Sequence, residues 1–244
     1  MAIHEFDCKG FGQIEPSQTW FNRAGMIEAQ CDLDPARFAS HFPLLPTELA
    51  SNKIVAENGA FLMCDKERKI ATVPTKQMSD WGYVAGINYS TERIYNQFTP
   101  GRRNFCLVRG QELPRIGFVE PGMRICTNTI CWDDTASFFA ANATAAEKAD
   151  SKYMYDSVKA YLAKVNDSTT GRAGGTAVAP IYAVLLDDSK YPQDGSVINK
   201  GKLVIGADPK NAIGGIYAIV TEAYTNADTT LSFKLKFVNK PATN

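Results

Sequence analysis

The side chains with the most chemistry in this chain are two histidines, His4 and His41, and six cysteines, Cys8, Cys31, Cys64, Cys106, Cys126 and Cys131. A thiol beside an imidazole would make a nucleophile and its base if folding brought them together. Nothing local supports such a pair. No two cysteines form a CxxC, and the paired ligand spacing of a zinc site is missing. Cys126 and Cys131 are the closest two, within ICTNTICW. On a single strand that odd separation points them to opposite faces, which makes them poor partners for one metal or one disulfide. The expectation is buried thiols in a reducing compartment, with no metal and no cofactor.

The acids and glycines form no familiar catalytic pattern. No G-x-S-x-G elbow, Walker A loop or G-x-G-x-x-G after a strand occurs. Gly171, Gly174 and Gly175 follow a helical pattern, the wrong context for a phosphate cradle. The pairs Asp133-Asp134 and Asp187-Asp188 each end a strand-like run and read as turn residues. The chain is therefore not expected to be an enzyme.

Arginine carries the one charge signal. Six of the ten arginines (Arg93, Arg102, Arg103, Arg109, Arg115, Arg124) fall in residues 93–124 against Glu112 and Glu120, making that segment locally +4. Guanidinium groups suit forked contacts with carboxylates or phosphates. Three readings stay open: pairs within the chain on a solvated face, docking of Arg102 and Arg103 on an acidic protein surface, and single-stranded nucleic acid. Aromatics mark a second candidate contact region. Phe6, Phe11, Trp20 and Phe21 are isolated anchors in the first 50 residues, where Pro16, Pro35, Pro43 and Pro46 break any long periodicity. That segment reads as an arm packing on its own domain or on a neighbour, with either a short helix from Asp34 or extended chain around Phe38 and Phe42.

The elements that would position these residues are mostly strands. IVAENGAFLMCD, the charged turn Asp65–Arg68 and KIATVPT read as strand, turn, strand, ended by Pro74. WGYVAGINYS and FCLVRG are further strands, and two more flank Pro121-Gly122, a type II turn signal. Met154, Val158, Tyr161, Leu162 and Val165 form an amphipathic face, predicting a helix over 151–165. Residues 166–177 read as a flexible loop. PIYAVLLDD and KLVIG have the continuous apolar character of strands buried on both faces. In LSFKLKF, alternation predicts a half-buried strand forming a hairpin with GIYAIVTEAY. The fold class is mainly β with one substantial helix: a sandwich or barrel-like domain over 51–244, preceded by an irregular N-terminal arm or extension, 1–50. Splitting at 166–177 is the alternative. It would give parts of net charge −3 (1–150) and +3 (151–244), which could pack together.

Composition bounds the function classes. Net charge is zero, with 45% hydrophobic and 21% charged residues in 244. A chain with that balance is not built to coat nucleic acid or an anionic membrane, and no run approaches the roughly 20 apolar residues of a membrane span. The first residues, MAIHEFDCKGFG, lack the regions of a secretory signal. Membrane, collagen-like, disordered and disulfide-rich secreted classes are excluded.

The order of these segments resembles virion structural proteins of tailed bacteriophages, and more narrowly head decoration (cement) proteins and minor capsid proteins. The residues that carry the resemblance are E-N-G-x-F at 57–61 with its Asp65–Arg68 turn, P-x-x-G-x-x-x-P-G-M at 114–123, and T-N-T at 127–129, covering roughly residues 54–240. Many such proteins carry Gly-Asp where this chain has Gly122-Met123, and the small decoration proteins are shorter. The resemblance implies a protein made in the host cytoplasm and carried on the virion, bound to the major capsid protein. It also implies self-association, a trimer at quasi-threefold positions, and no catalytic residues. Alternatives are a neck or tail component (tail tube, terminator or head–tail joining protein), a small Cys/His enzyme, and a single-strand nucleic-acid binder.

Overall fold

The computed structural model describes residues 1–6, 27–29, 38–39, 54–57, 59–65, 67, 70–88, 106–108, 116–166, 178–192, 201–225 and 231–238. In chain order the strands are β1 (Ile3–Glu5), β2 (Ile27–Ala29), β3 (Phe38–Ala39), β4 (Ile54–Glu57), β5 (Phe61–Asp65) and β6 (Ile70–Thr72). They continue with β7 (Val84–Asn88), β8 (Cys106–Val108), β9 (Ile116–Phe118), β10 (Arg124–Thr127) and β11 (Ile130–Asp133). The last are β12 (Tyr182–Leu185), β13 (Leu203–Ile205), β14 (Tyr217–Thr225) and β15 (Leu231–Phe237). The helices are α1 (Lys76–Asp80), α2 (Ala145–Lys148) and α3 (Ser151–Asn166). This is a mainly β chain with one substantial helix, as the patterning predicts. Its sheets lie sandwich-like, and they do not close into a barrel.

Eight strands form the large sheet, in the order β1-β11-β13-β12-β14-β15-β10-β2, and five form a second, β3-β9-β7-β5-β6. A two-stranded ladder joins β4 to β8. The strands β1, β2 and β3 come from residues 1–50 and pair with β11, β10 and β9, so the described pieces of that segment are stitched into both sheets. Around Phe38 the chain is extended, not helical. Asn58-Gly59 separates strands that do not pair with each other; the hairpin is β5–β6, around the 65–68 turn.

The large sheet must be strongly curled. β11 and β10 stand five places apart in its order, about 24 Å if the sheet were flat. Yet only Asn128 and Thr129 separate them in the chain, a link that reaches about 11 Å at most. The curl wraps the inner faces around one core. Ile125, Ile130, Trp132, Leu185, Leu203, Ile205, Val220, Phe233, Leu235 and Phe237 point into it. Phe61, Met63, Ala85 and Ile87 enter from one face of the second sheet, while Leu62, Cys64 and Ile116 bury its other face.

Helix α3 closes the core with Met154, Tyr155, Val158 and Leu162, all buried. Each such side chain contributes roughly 1.5–3 kcal/mol by leaving water. The Tyr155 ring packs edge-on against Phe233 at 5.5 Å. The Ala-rich stretch before α3 does not extend it: α2 is a separate turn of helix, started by a capping box between Thr144 and Glu147. Asp150 then caps α3, accepting the Tyr153 N–H at 2.7 Å. Most of the loop predicted at 166–177 lies outside the described residues.

Two glycines are fixed by geometry. Gly122 has φ +95°, and the Met123 N–H donates to the Glu120 carbonyl at 3.1 Å, the type II turn expected at Pro121-Gly122. That turn carries the chain from β9 in one sheet to β10 in the other. Gly201, at φ +89°, accepts the Phe61 N–H at 2.8 Å and so ties the approach to β13 to the second sheet.

Candidate functional site

The thiols and imidazoles come first. On β1, His4 stands opposite Trp132 of β11 and stacks on its indole at 5.3 Å. Cys131 is the next residue along β11 and therefore points to the other face, opposite Glu5. His4 and Cys131 thus diverge. Cys64, Cys126 and Cys131 are all buried. His41, Cys8 and Cys31, and the Cys106 side chain, lie outside the described residues.

Cys126 and Cys131 do not lie on one strand, contrary to the single-strand expectation. ICTNTICW is two strands, and Asn128-Thr129 between them shifts the alternation by one residue. Ile125, Ile130 and Trp132 face the inner core, which leaves both thiols on the outer side of the sheet. Among the described residues, no group of three or more His, Cys, Asp or Glu side chains could hold a metal ion.

That outer side holds a buried charge. Lys202 is 2% exposed, and its ammonium pairs with the Glu5 carboxylate. The Tyr191 hydroxyl donates to the Lys202 carbonyl. Burial, with Cys131 nearby, pushes the Tyr191 phenol well above its ordinary range, so it stays a donor. Ile3, Val184, Val204 and Tyr217 surround this cluster. The arrangement clamps β1 across β11 to the start of β13. The buried pair is suited to holding a strand.

One exposed corner has the opposite character. Trp81 is 62% exposed at the end of α1, and Val84 beside it is 38% exposed. Thr75 starts α1 by accepting the Met78 N–H at 3.2 Å. At the other end the Trp81 and Gly82 N–H groups donate to Gln77 and Ser79, with Gly82 at φ +85°. Three contacts brace the corner from outside. Ser79 Oγ accepts the Gly214 N–H at 3.0 Å, the Asp187 carboxylate accepts the Lys76 N–H, and the Asp188 N–H donates to the Pro74 carbonyl at 3.0 Å. Met78 and Tyr83 pack against the core from the same corner. The indole is therefore presented on a fixed base, the setting in which an exposed tryptophan anchors a protein contact.

Asp187 has a measurable part in that bracing. Burial alone would raise its carboxyl, but Ser189, the Lys76 N–H and Lys190 together hold it below its ordinary value. A carboxyl depressed in the fold stabilises it above the unfolded value of about 4 and loses that contribution as pH falls through the lower folded value. Asp187→Asn is expected to cost about 1–2 kcal/mol at neutral pH. In thermal melts, the gap between wild type and variant should close between about pH 5 and pH 2. A gap that persists at low pH would mean that the charge is not what braces the corner.

Of the contact residues expected from sequence, Phe6 lies among the described residues. Phe6 is 5% exposed and packs edge-on against Trp132 and Phe233, inside this chain's own core. Phe11, Trp20, Phe21, Arg102 and Arg103 lie outside the described residues. Trp81 opens a run that reads as a strand in the sequence, but it ends α1, and β7 begins only at Val84. Asp133 and Asp187 serve as turn and capping acids, accepting the Thr135 and Ser189 N–H groups at 2.8 and 2.9 Å. No helix among the described residues is long and apolar enough to cross a membrane. In comparison with known proteins, no family model matches the chain, and neither a curated protein nor a solved structure matches it.

Proposed function

We propose that this chain is a virion structural protein of a tailed bacteriophage, a head decoration (cement) protein that binds the major capsid protein and stabilises the mature shell. The observation that carries the reading is Trp81, a large indole 62% exposed on a corner braced by two other parts of the chain. It adds a rigid anchor to the resemblance carried by residues 57–61, 114–123 and 127–129. A protein that binds only the assembled shell stabilises that shell by mass action, and many modest contacts on a symmetric lattice add through avidity. Self-association of the decorating copies belongs to the same proposal.

Quantitative mass spectrometry of purified virions tests it by counting this chain against the major capsid protein. A fixed, sizeable fraction of the capsid count is expected. Trp81→Ser should weaken shell binding by about 30-fold or more, the loss of roughly 2 kcal/mol typical of an aromatic anchor. A count of about six or about twelve would place the chain in a ring at the neck or tail instead. Absence from the particle would overturn the structural role and bring back the enzyme and nucleic-acid readings.

A further inference from the structure

The outer face of the large sheet carries a second surface, read from register. Arg124 on β10 stands directly opposite Lys236 on β15, Lys236 opposite Ile219 on β14, and Ile219 opposite Tyr182 on β12. Directly opposed residues share a face, so these four form one line across four strands. The parallel line Ile125, Leu235 and Val220 faces the core. Arg124 is exposed, and Lys236, Ile219 and Tyr182 are half-buried.

Two cations directly opposed on a sheet destabilise it. On the neighbouring line Lys234 stands opposite Cys126 and Glu222, pairs with Glu222 at 2.8 Å and lies 4.2 Å from the centre of the Tyr224 ring. Among the described residues, Arg124 and Lys236 have no ion pair. We propose that the line Arg124–Lys236–Ile219–Tyr182 is a docking strip for a protein partner that presents carboxylates beside an apolar side chain.

Charge complementarity selects that occupant. A guanidinium next to an ammonium offers both a forked and a point contact to carboxylates, relieving the opposition between them. Ile219 and Tyr182 continue the line as apolar contact surface, giving a charged end and an apolar end. Phosphodiester is a poorer fit. The cationic part is only two strands wide, and the zero net charge of the chain supplies no long-range attraction for a polyanion. The strip is read from the sheet alone and stands whether or not the shell reading holds.

The test uses the full chain and a fluorescent peptide alternating glutamate with leucine, followed by anisotropy at low salt. A glutamine-for-glutamate peptide and an oligothymidylate of matched charge serve as comparisons. The glutamate peptide should bind, and the glutamine one should not. Lys236→Glu should lower the affinity about tenfold. The same variant should raise the melting temperature by about 1–3 °C, because it replaces an opposed pair by an attractive one. Arg124→Gln should weaken binding without that rise. Lost affinity with gained stability is a signature that damage to the fold would not produce. Unchanged affinity in both variants, equal binding of the glutamine peptide, or no binding of the glutamate peptide would each overturn the strip. Tighter binding of the oligonucleotide, lost in Lys236→Glu, would overturn the protein partner in favour of nucleic acid.

Discussion

Gly201→Ala is expected to lower stability by more than about 3 kcal/mol, a fall in melting temperature of about 6–12 °C. Two costs combine at this position. The φ of +89° already strains any L residue, and an added Cβ would lie 2.2 Å from the Phe61 carbonyl oxygen. That oxygen is backbone of β5, so it cannot rotate away. Relief requires parting the approach to β13 from the second sheet, breaking the bond from the Phe61 N–H to the Gly201 carbonyl. Gly122→Ala separates the two costs. Gly122 has φ +95°, but a Cβ there meets nothing within 4 Å, so only the backbone term of about 1–2 kcal/mol applies. Similar losses at both positions in urea melts would show that the close approach at Gly201 is easily relieved.

The second large effect concerns the buried ion pair. Glu5→Ala removes the carboxylate that faces the Lys202 ammonium, and Lys202 is 2% exposed. Taking one member from such a pair typically costs about 3–5 kcal/mol, because the remaining charge stays out of water. Replacing both by apolar residues is different: Glu5→Leu with Lys202→Met should recover most of the loss. Denaturant melts of Glu5→Leu, Lys202→Met and the double variant form the cycle. If Glu5→Ala costs under 1 kcal/mol, the ammonium reaches solvent or another partner, and the clamp on β1 is not electrostatic.

Several elements were legible because their signal is local. In β15, Leu231, Phe233, Leu235 and Phe237 alternate with Ser232, Lys234 and Lys236, and the Leu and Phe side chains do face the core. Helix α3 runs from Ser151 to Asn166 with Met154, Val158 and Leu162 buried, as its spacing predicts. The break between β10 and β11 was not legible, since Thr127, Asn128 and Thr129 continue a β-prone run without glycine or proline. What interrupts it is the curl of the sheet, a property of strands arriving about 70 to 110 residues later. The same distance hid the strip. That Arg124 meets Lys236 depends on register between strands far apart in sequence, which composition does not encode. Lys202 reads as an ordinary surface lysine until β1 brings Glu5 to it.

The two-residue link at Asn128-Thr129 also sets the order in which this chain can be made. During synthesis β1, β2 and β3 emerge first, but their partners are β11, β10 and β9. β11 and β10 in turn wait for β13 and β15, the latter ending at Phe237. No early segment can complete the large sheet before β13 and β15 are made. The nascent chain instead carries unpaired strand edges until β15 has been made, and loop closure over such separations is slow. The final strand acts as a keystone. A product stopped before Leu231 would present Ile125 and Phe6 to whatever holds newly made chains in solution, and chaperone dependence should fall once β15 is supplied.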